Sequence, residues 1–545
     1  MKKGIKTAIL ICLVSLTQLQ AQNKKYVVFF NRKVQGNTYS LSNPSAFLSP
    51  RSLQRRQNQG LALDSTDLPV IPSFLNQVAA TGATVLYPIR WLNGAILDCT
   101  EPQYQAVMGL PFVEGGKPLN TRMPDCPVRK KSPSSGTQSL DYGGSLNQNM
   151  QLELDSMHSW GYHGEGKLIA VMDAGFQNVN SHTAFSHLFQ AGKIKGVRDL
   201  VSRDGDVYSD HWHGGAVLSN IAGYLPGSLI GGAYAADYFL IRSEDAGSEH
   251  EIECAYWVAG LELADSIGAD VVNSSLGYTT FDISSFDYNY TTLNGISSIA
   301  SKAASKAASK GIIVVNSAGN EGNNSSWGGW ISVPADARDI LAAGAINESG
   351  NVTGFSGKGP TPDGRIKPDL VAMGSGAVTA DVFSSSGVTF NNGTSFSAPI
   401  LSGLVAGFWQ AHPELSAIQV MNLLKNSGSN RENPDNQQGW GIPGFIRAHL
   451  LAGSKPKISV PFEIRIFPNP GSGNNINISL LPGQPAEVIH YLMTDMKGKS
   501  VASGVLEFSE SKTTLEIFAG NLRSGTYLLN LTGKGGKISR KIILN

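Results

Sequence analysis

The spacing of apolar positions changes along the chain, and each change marks a different kind of element. Near the start, short apolar stretches are separated by turns. "KYVVFF" predicts a strand and "PSFLNQVAA" a helix. "TVLYPIR" and "GAILDC" predict two strands parted by Trp91-Leu92-Asn93, and "EPQYQAVMG" and "PFVEGG" a helix and a last strand. That succession over residues 26–117 is the ferredoxin-like order of an α+β unit. Pro, Ser, Lys and Gly then predominate over residues 118–145, which predicts an exposed linker.

From residue 146 to 452 the apolar runs become continuous and alternate with helical spacing. "GKLIAVMDAG", "ADVVNSSLG" and "GIIVVNSAGN" predict strands buried on both faces. "HGGAVLSNIAG", "IECAYWVAGLELADSIG" and "SSIASKAASKAASK" predict the intervening helices, the last with one solvated lysine face. Such alternation predicts an α/β domain with a doubly wound parallel sheet, whose ligands gather at the carboxyl ends of its strands. "LLAGSKPKIS" marks a further boundary. Over residues 461–545, short strands such as "FEIRIFPNP", "VIHYLMTD" and "GTYLLNLTG" between Gly, Pro and Asn turns predict a C-terminal β-sandwich.

Composition narrows the class. A chain of 545 residues holds roughly two to four domains. With 41% hydrophobic and 16% charged residues it is globular rather than disordered. A formal net charge of +1 and no long basic run argue against a nucleic-acid partner. Positive Met1–Lys6, an apolar stretch from Ala8 to Leu19 and a cleavage point at Ala21-Gln22 predict a signal peptide over residues 1–21. No other stretch is long and apolar enough for a transmembrane helix. Cys12 leaves with the signal, Cys254 sits in a helical stretch, and Cys99 and Cys126 are free to pair or not.

Three residues stand at ends where such a sheet gathers its chemistry. Asp173 closes "LIAVMD", His213 opens a small-residue helix, and Ser395 lies in "NNGTSFSAPILSG" just before another helix. Each has a plainer reading. Asp173-Ala174-Gly175 is also a turn, His213 also a structural histidine, and Asn392-Gly393-Thr394 also a glycosylation sequon or helix start. "DHWH" also brings Asp210, His211 and His213 close enough to hold a metal.

The chain order Asp…His…Ser is that of subtilisin. "VMDAG", "HGGAVLSNIAG", "VVNSSLG", "NSAGNEG" and "NNGTSFSAPILSG" follow one another over roughly residues 165–405. Together they resemble the successive blocks of the subtilisin-like serine peptidases, the subtilases. The resemblance implies that Asp173 polarises His213, that His213 takes the proton of Ser395, and that Ser395 attacks the scissile carbonyl. It implies that Asn320 furnishes the oxyanion hole. It also implies that Ser275-Leu276-Gly277 form one wall of the substrate cleft and that Ser317-Ala318-Gly319 line the P1 pocket. No cofactor and no metal site is carried over, although many relatives bind calcium.

This chain departs from the family in two places. It has His213-Gly214-Gly215-Ala216 where the family has His-Gly-Thr-His, and Tyr278 where a glycine is common, which would narrow the cleft.

The flanks extend the resemblance. Residues 22–120 resemble a subtilase propeptide, with a linker over 121–145, a peptidase domain over 146–455 and a tail over 461–545. That tail is similar to the C-terminal sorting domains of type IX secretion in Bacteroidetes; a surface-binding β-sandwich is the other reading. The expectation is a secreted or cell-surface serine endopeptidase made as a zymogen. Its partners would be polypeptide substrates, its own propeptide and the secretion machinery. The alternative is an inactive homologue that binds peptides or surfaces.

Overall fold

Alternation along the first strands decides what the N-terminal sheet packs against. The computed structural model describes residues 23–119 and 140–453, and the strands with some turn residues of 464–544. Strands Thr84–Ile89, Gly94–Cys99, Lys24–Phe30 and Val113–Leu119 lie side by side in that order, every neighbouring pair antiparallel. This is the ferredoxin-like order. Tyr26, Val28, Phe30, Ala95 and Leu97 face the helices Pro72–Ala80 and Glu101–Met108, where Phe74 stacks on Phe112 at 3.9 Å. Val27 and Ile96, one residue out of phase, face the other way and share a core with Tyr256 and Leu261 of the helix Glu251–Ile267. The second face of the sheet is therefore covered by helices of the next domain. Burying a side chain such as Ile96 there is worth roughly 1.5–3 kcal/mol.

Several helices were not predicted, and one of them bears on the propeptide. Pro50–Asn58, "PRSLQRRQN", carries almost no apolar periodicity, so hydrophobic spacing is silent on it. It starts on a Ser49 cap that accepts from the Ser52 N–H at 3.1 Å, with Pro50 at the first position. It is held by charge instead, as described below.

The central sheet has seven parallel strands. Their order is Leu370–Met373, Leu341–Ile346, Ile313–Ser317, Val271–Ser274, Leu168–Asp173, Asp237–Arg242 and Ile194–Asp199. Leu168–Asp173 is first in the sequence and lies inside the sheet, so the chain winds away from it in both directions. Its carboxyl end is the topological switch point. The helices Glu251–Ile267 and Ile299–Ala307 cover one face; His213–Ala222 and Thr394–Ala411 cover the other.

The chain separates into two compact units, the first ending at Ser454 and the second beginning at Lys455. In the second, three- and four-stranded antiparallel sheets share a core that includes Ile478, Ile517, Met493 and Leu529, which makes it a sandwich.

Candidate active site

Asp173 ends a strand that is buried along its whole length, and it is itself fully buried. Its Oδ1 accepts from the Ala174 N–H and from His213 Nδ1, each at 2.8 Å. A carboxylate only accepts, so the Nδ1 proton donates to it and Nε2 keeps its lone pair. His213 opens the helix His213–Ala222. The helix approaches Asp173 closely because Gly214 has no side chain: a Cβ there would lie 2.8 Å from the Asp173 Cβ. Burial pushes the His213 imidazole pKa down, but the charge and hydrogen bond of Asp173 more than offset it, and the net shift is upward. The His213 ring packs against Phe396 at 5.8 Å, which brings it beside the start of the next helix.

That helix, Thr394–Ala411, includes Ser395 within its first turn rather than just ahead of it. Gly393 precedes it with φ +146°, which a side chain would strain. Pro399 lies inside the helix and has no N–H for the Ser395 carbonyl four residues back. The Ser275 hydroxyl donates to that carbonyl instead, at 2.8 Å. The Ser395 hydroxyl in turn donates to the Ser275 carbonyl at 3.2 Å rather than to His213. Catalytic hydrogen bonds are often unformed without substrate.

Asn320 lies across from Ser395. Its Oδ1 accepts from the Thr394 N–H at 2.9 Å and the Thr394 hydroxyl at 3.0 Å, which leaves the amide Nδ2 to donate elsewhere. Thr394 also accepts from the Gly319 N–H at 3.2 Å and so ties the Ser317–Gly319 segment to the helix start. Ser317 Oγ donates to the Leu276 carbonyl at 3.2 Å, which joins the two proposed cleft walls.

Ser275, Leu276, Gly277, Ser317, Gly319, Asn320, His213 and Ser395 all line one cavity of about 530 Å3. Ala318 is buried behind it in the core. Tyr278 does not narrow the cleft as expected. The pleat turns it inward, where it is fully buried and stacks on Phe281. The alternative metal cluster does not assemble: Asp210 pairs with Arg242 at 3.0 Å while His213 pairs with Asp173. Cys99 is buried and unpaired, and Cys126 lies outside the described residues.

Residues 164–441 match the model of the subtilase family. The chain belongs to the subtilase family. Residues 25–135 of this subtilase match the peptidase S8 propeptide domain of Bacteroidota, and residues 465–545 match a secretion-system C-terminal sorting domain. Among relatives, it is 29% identical to subtilisin DY of Bacillus licheniformis over 294 residues, 54% of this chain and 93% of that protein. It is 28% identical to subtilisin E of Bacillus subtilis over 295 residues, 54% of this chain and 67% of that protein. A solved structure of the MycP3 protease from the type VII (ESX-3) secretion system superposes with a TM-score of 0.44 at 21% identity, covering 58% of this chain and 93% of that one. The protein is thus a subtilisin-like serine endopeptidase with a propeptide and an export domain. Among the described residues no helix is long and apolar enough to cross a membrane.

Sequence reasoning missed Thr394 and Ser332 in this subtilase. Thr394 stood in the quoted "NNGTSFSAPILSG" block as a turn residue, and its work on Asn320 shows only in space. Ser332, in "WISVP", carries no sequence signal and reaches the cleft floor by folding alone.

Proposed function

We propose that Asp173, His213 and Ser395 form the catalytic triad of this secreted peptidase, with Asn320 in the oxyanion hole. The Asp173–His213 hydrogen bond of 2.8 Å at the switch point, beside the helix that begins at Thr394, carries this reading. His213 Nε2 takes the Ser395 proton as Oγ attacks the scissile carbonyl, and returns it to the leaving amine. The acyl-enzyme is then hydrolysed by the reverse sequence with water. Asn320 Nδ2 and the Ser395 N–H, at a positive helix end, stabilise the oxyanion. Ser275–Gly277 bind the substrate as an added strand, and Ser317–Gly319 hold its P1 side chain.

The propeptide domain acts as an intramolecular inhibitor until it is cleaved, and the sorting domain brings the zymogen to the type IX machinery. The Ser395–Ser275 hydrogen bond favours a second reading, an inactive peptide-binding homologue. Casein hydrolysis by the matured protein beside Ser395→Ala separates the two. A loss of about a millionfold, as in the family's type enzyme, with the precursor left uncleaved, supports the triad. A processed, folded wild type with no hydrolysis supports the homologue.

A further inference from the structure

The cleft carries charges that peptide-bond chemistry does not use. Glu244 and Glu249, which follow the strand Asp237–Arg242, line one wall, and Asp282 lines the cleft with them. Behind them the Glu253 carboxylate accepts from the Asp245 and His250 N–H groups, each at 3.0 Å. The strongest electrostatic neighbours of Glu244 are Glu253, Glu249, Asp173 and Asp245, all of like charge. Glu249 faces Asp282, whose Oδ2 lies 3.7 Å from His250 Nε2. His211 and His213 face the same cavity, and Tyr278 and Cys254 are packed near these carboxylates.

Unused buried hydroxyls accompany these carboxylates. Ser332 is 2% exposed, and its Oγ has no hydrogen-bond partner. It lies against the cleft floor: a Cβ on Gly277 would come 2.2 Å from that oxygen, and one on Gly319 2.8 Å. The Tyr278 hydroxyl is fully buried and equally unpartnered, with Glu244 its strongest charged neighbour. The Ser332 hydroxyl and the carboxylates that line the cavity can accept N–H groups of a bound peptide.

We propose that this wall is a subsite for cationic side chains, arginine or lysine, carried by the polypeptide substrate ahead of its scissile bond. The proposal rests on the function proposed above, in which Ser275–Gly277 and the P1 pocket take the residues ahead of the scissile bond and line the same cavity as Glu244, Glu249 and Asp282. Guanidinium–carboxylate pairs are the strong, geometrically specific ones, and most so where water is excluded. Among the described residues no group of carboxylates converges as metal ligands do. These are strung along the wall, as the side chains of an extended peptide are. Behind the wall, burial pushes Glu253 up to about 9, with the charges of Glu249 and Asp245 adding to it. The chain itself carries basic residues of this chemistry, Arg122, Arg129, Lys130 and Lys131, near the end of the propeptide match and ahead of the peptidase domain.

Internally quenched peptides of one sequence test this. They carry Arg, Gln or Glu in turn at the second, third and fourth residues before the cleaved bond. At pH 8 the matured wild type is expected to show kcat/KM at least about tenfold higher for the best Arg peptide than for its Gln counterpart, with Glu lower still. That ratio is expected to shrink to within about threefold of unity in Glu244→Gln and Glu249→Gln. A flat wild-type profile, or a preference for Glu, overturns the subsite while leaving the serine-peptidase reading intact. An arginine preference that survives in both variants places the cation elsewhere and overturns it too. A processed, folded wild type that cuts none of the peptides removes the triad reading, and the proposal with it. If Glu244→Gln does not fold, the wild-type profile and Glu249→Gln, at an exposed position, still decide.

Discussion

Asn320 is oriented by a single neighbour. Both of its acceptor bonds come from Thr394, so the amide cannot flip without losing them, and Nδ2 is left for the substrate side. Asn320→Leu is therefore expected to lower kcat about 100- to 1000-fold with little change in KM, measured on a quenched peptide. Asp173 and His213 are matched in a similar way. The buried carboxylate raises the imidazole pKa and holds its Nδ1 proton, so Nε2 is the atom left for Ser395. Gly215, where relatives have threonine, lies away from that bond; a Cβ there would meet Val382 and Val179. The departure in the histidine block thus leaves the Asp173–His213 geometry unchanged.

The helix Pro50–Asn58 works through charge. Arg55 and Arg56 are buried and reach Asp265 on the helix Glu251–Ile267, and Arg90 joins them on the same carboxylate. Arg56 also holds Asp67 at 2.8 Å, and Lys310 reaches the same Asp67 from the peptidase domain at 2.9 Å. The backbone N–H groups of Arg90 and Trp91 donate to Glu262 at 2.7 and 2.9 Å. The propeptide thus docks through an apolar sheet face rimmed by buried ion pairs.

Removing one partner of such a pair strands the others. Asp265→Ala is expected to destabilise the uncleaved precursor by about 3–5 kcal/mol, read from urea midpoints in a Ser395→Ala background. Asp265 is costly to bury, but Arg55, Arg90 and Arg56 outweigh that cost and hold it at about 2, below the usual 3.8. Because its folded pKa is depressed, its contribution is present above pH 3.8 and lost as pH falls toward 2. Propeptide docking should therefore survive mild acid and fail only near pH 2, which intrinsic fluorescence of the precursor would follow.

At the scale of the whole molecule, the two compact units each have a hydrophobic core of their own. Such units unfold independently. A chain ending at Ser454 is expected to keep the calorimetric transition and peptidase activity of the full chain, yet to remain inside the cell when expressed in its source. Immunoblots of cells and medium would show this. Loss of the peptidase transition on truncation would instead mean that the tail is part of the catalytic fold.

Much of this was legible beforehand, and the reason is local. Buried parallel strands must be continuously apolar, so "LIAVMD" and "IIVVNS" declared themselves, and the turns at their ends placed Asp173 and Ser317. The glycine of "NNGTSFSAP" is required by a φ of +146°, and the proline is tolerated because the Ser275 hydroxyl satisfies the Ser395 carbonyl it leaves free. Short apolar runs between turns likewise foretold the N-terminal sheet. What only the tertiary structure decided is whatever depends on partners distant in sequence. "PRSLQRRQN" is anchored by Asp265, more than 200 residues on. Thr394 meets Asn320 74 residues away, and Ser332 reaches Gly277 and Gly319 across the cleft floor. Tyr278 turned inward because the core beneath it had room for a ring. Glu244, Glu249 and Asp282 read as ordinary surface charges until the fold set them along one cleft. Hydrophobic period and turn chemistry are properties of short stretches of chain, whereas charge pairing and cleft lining are properties of their arrangement in space.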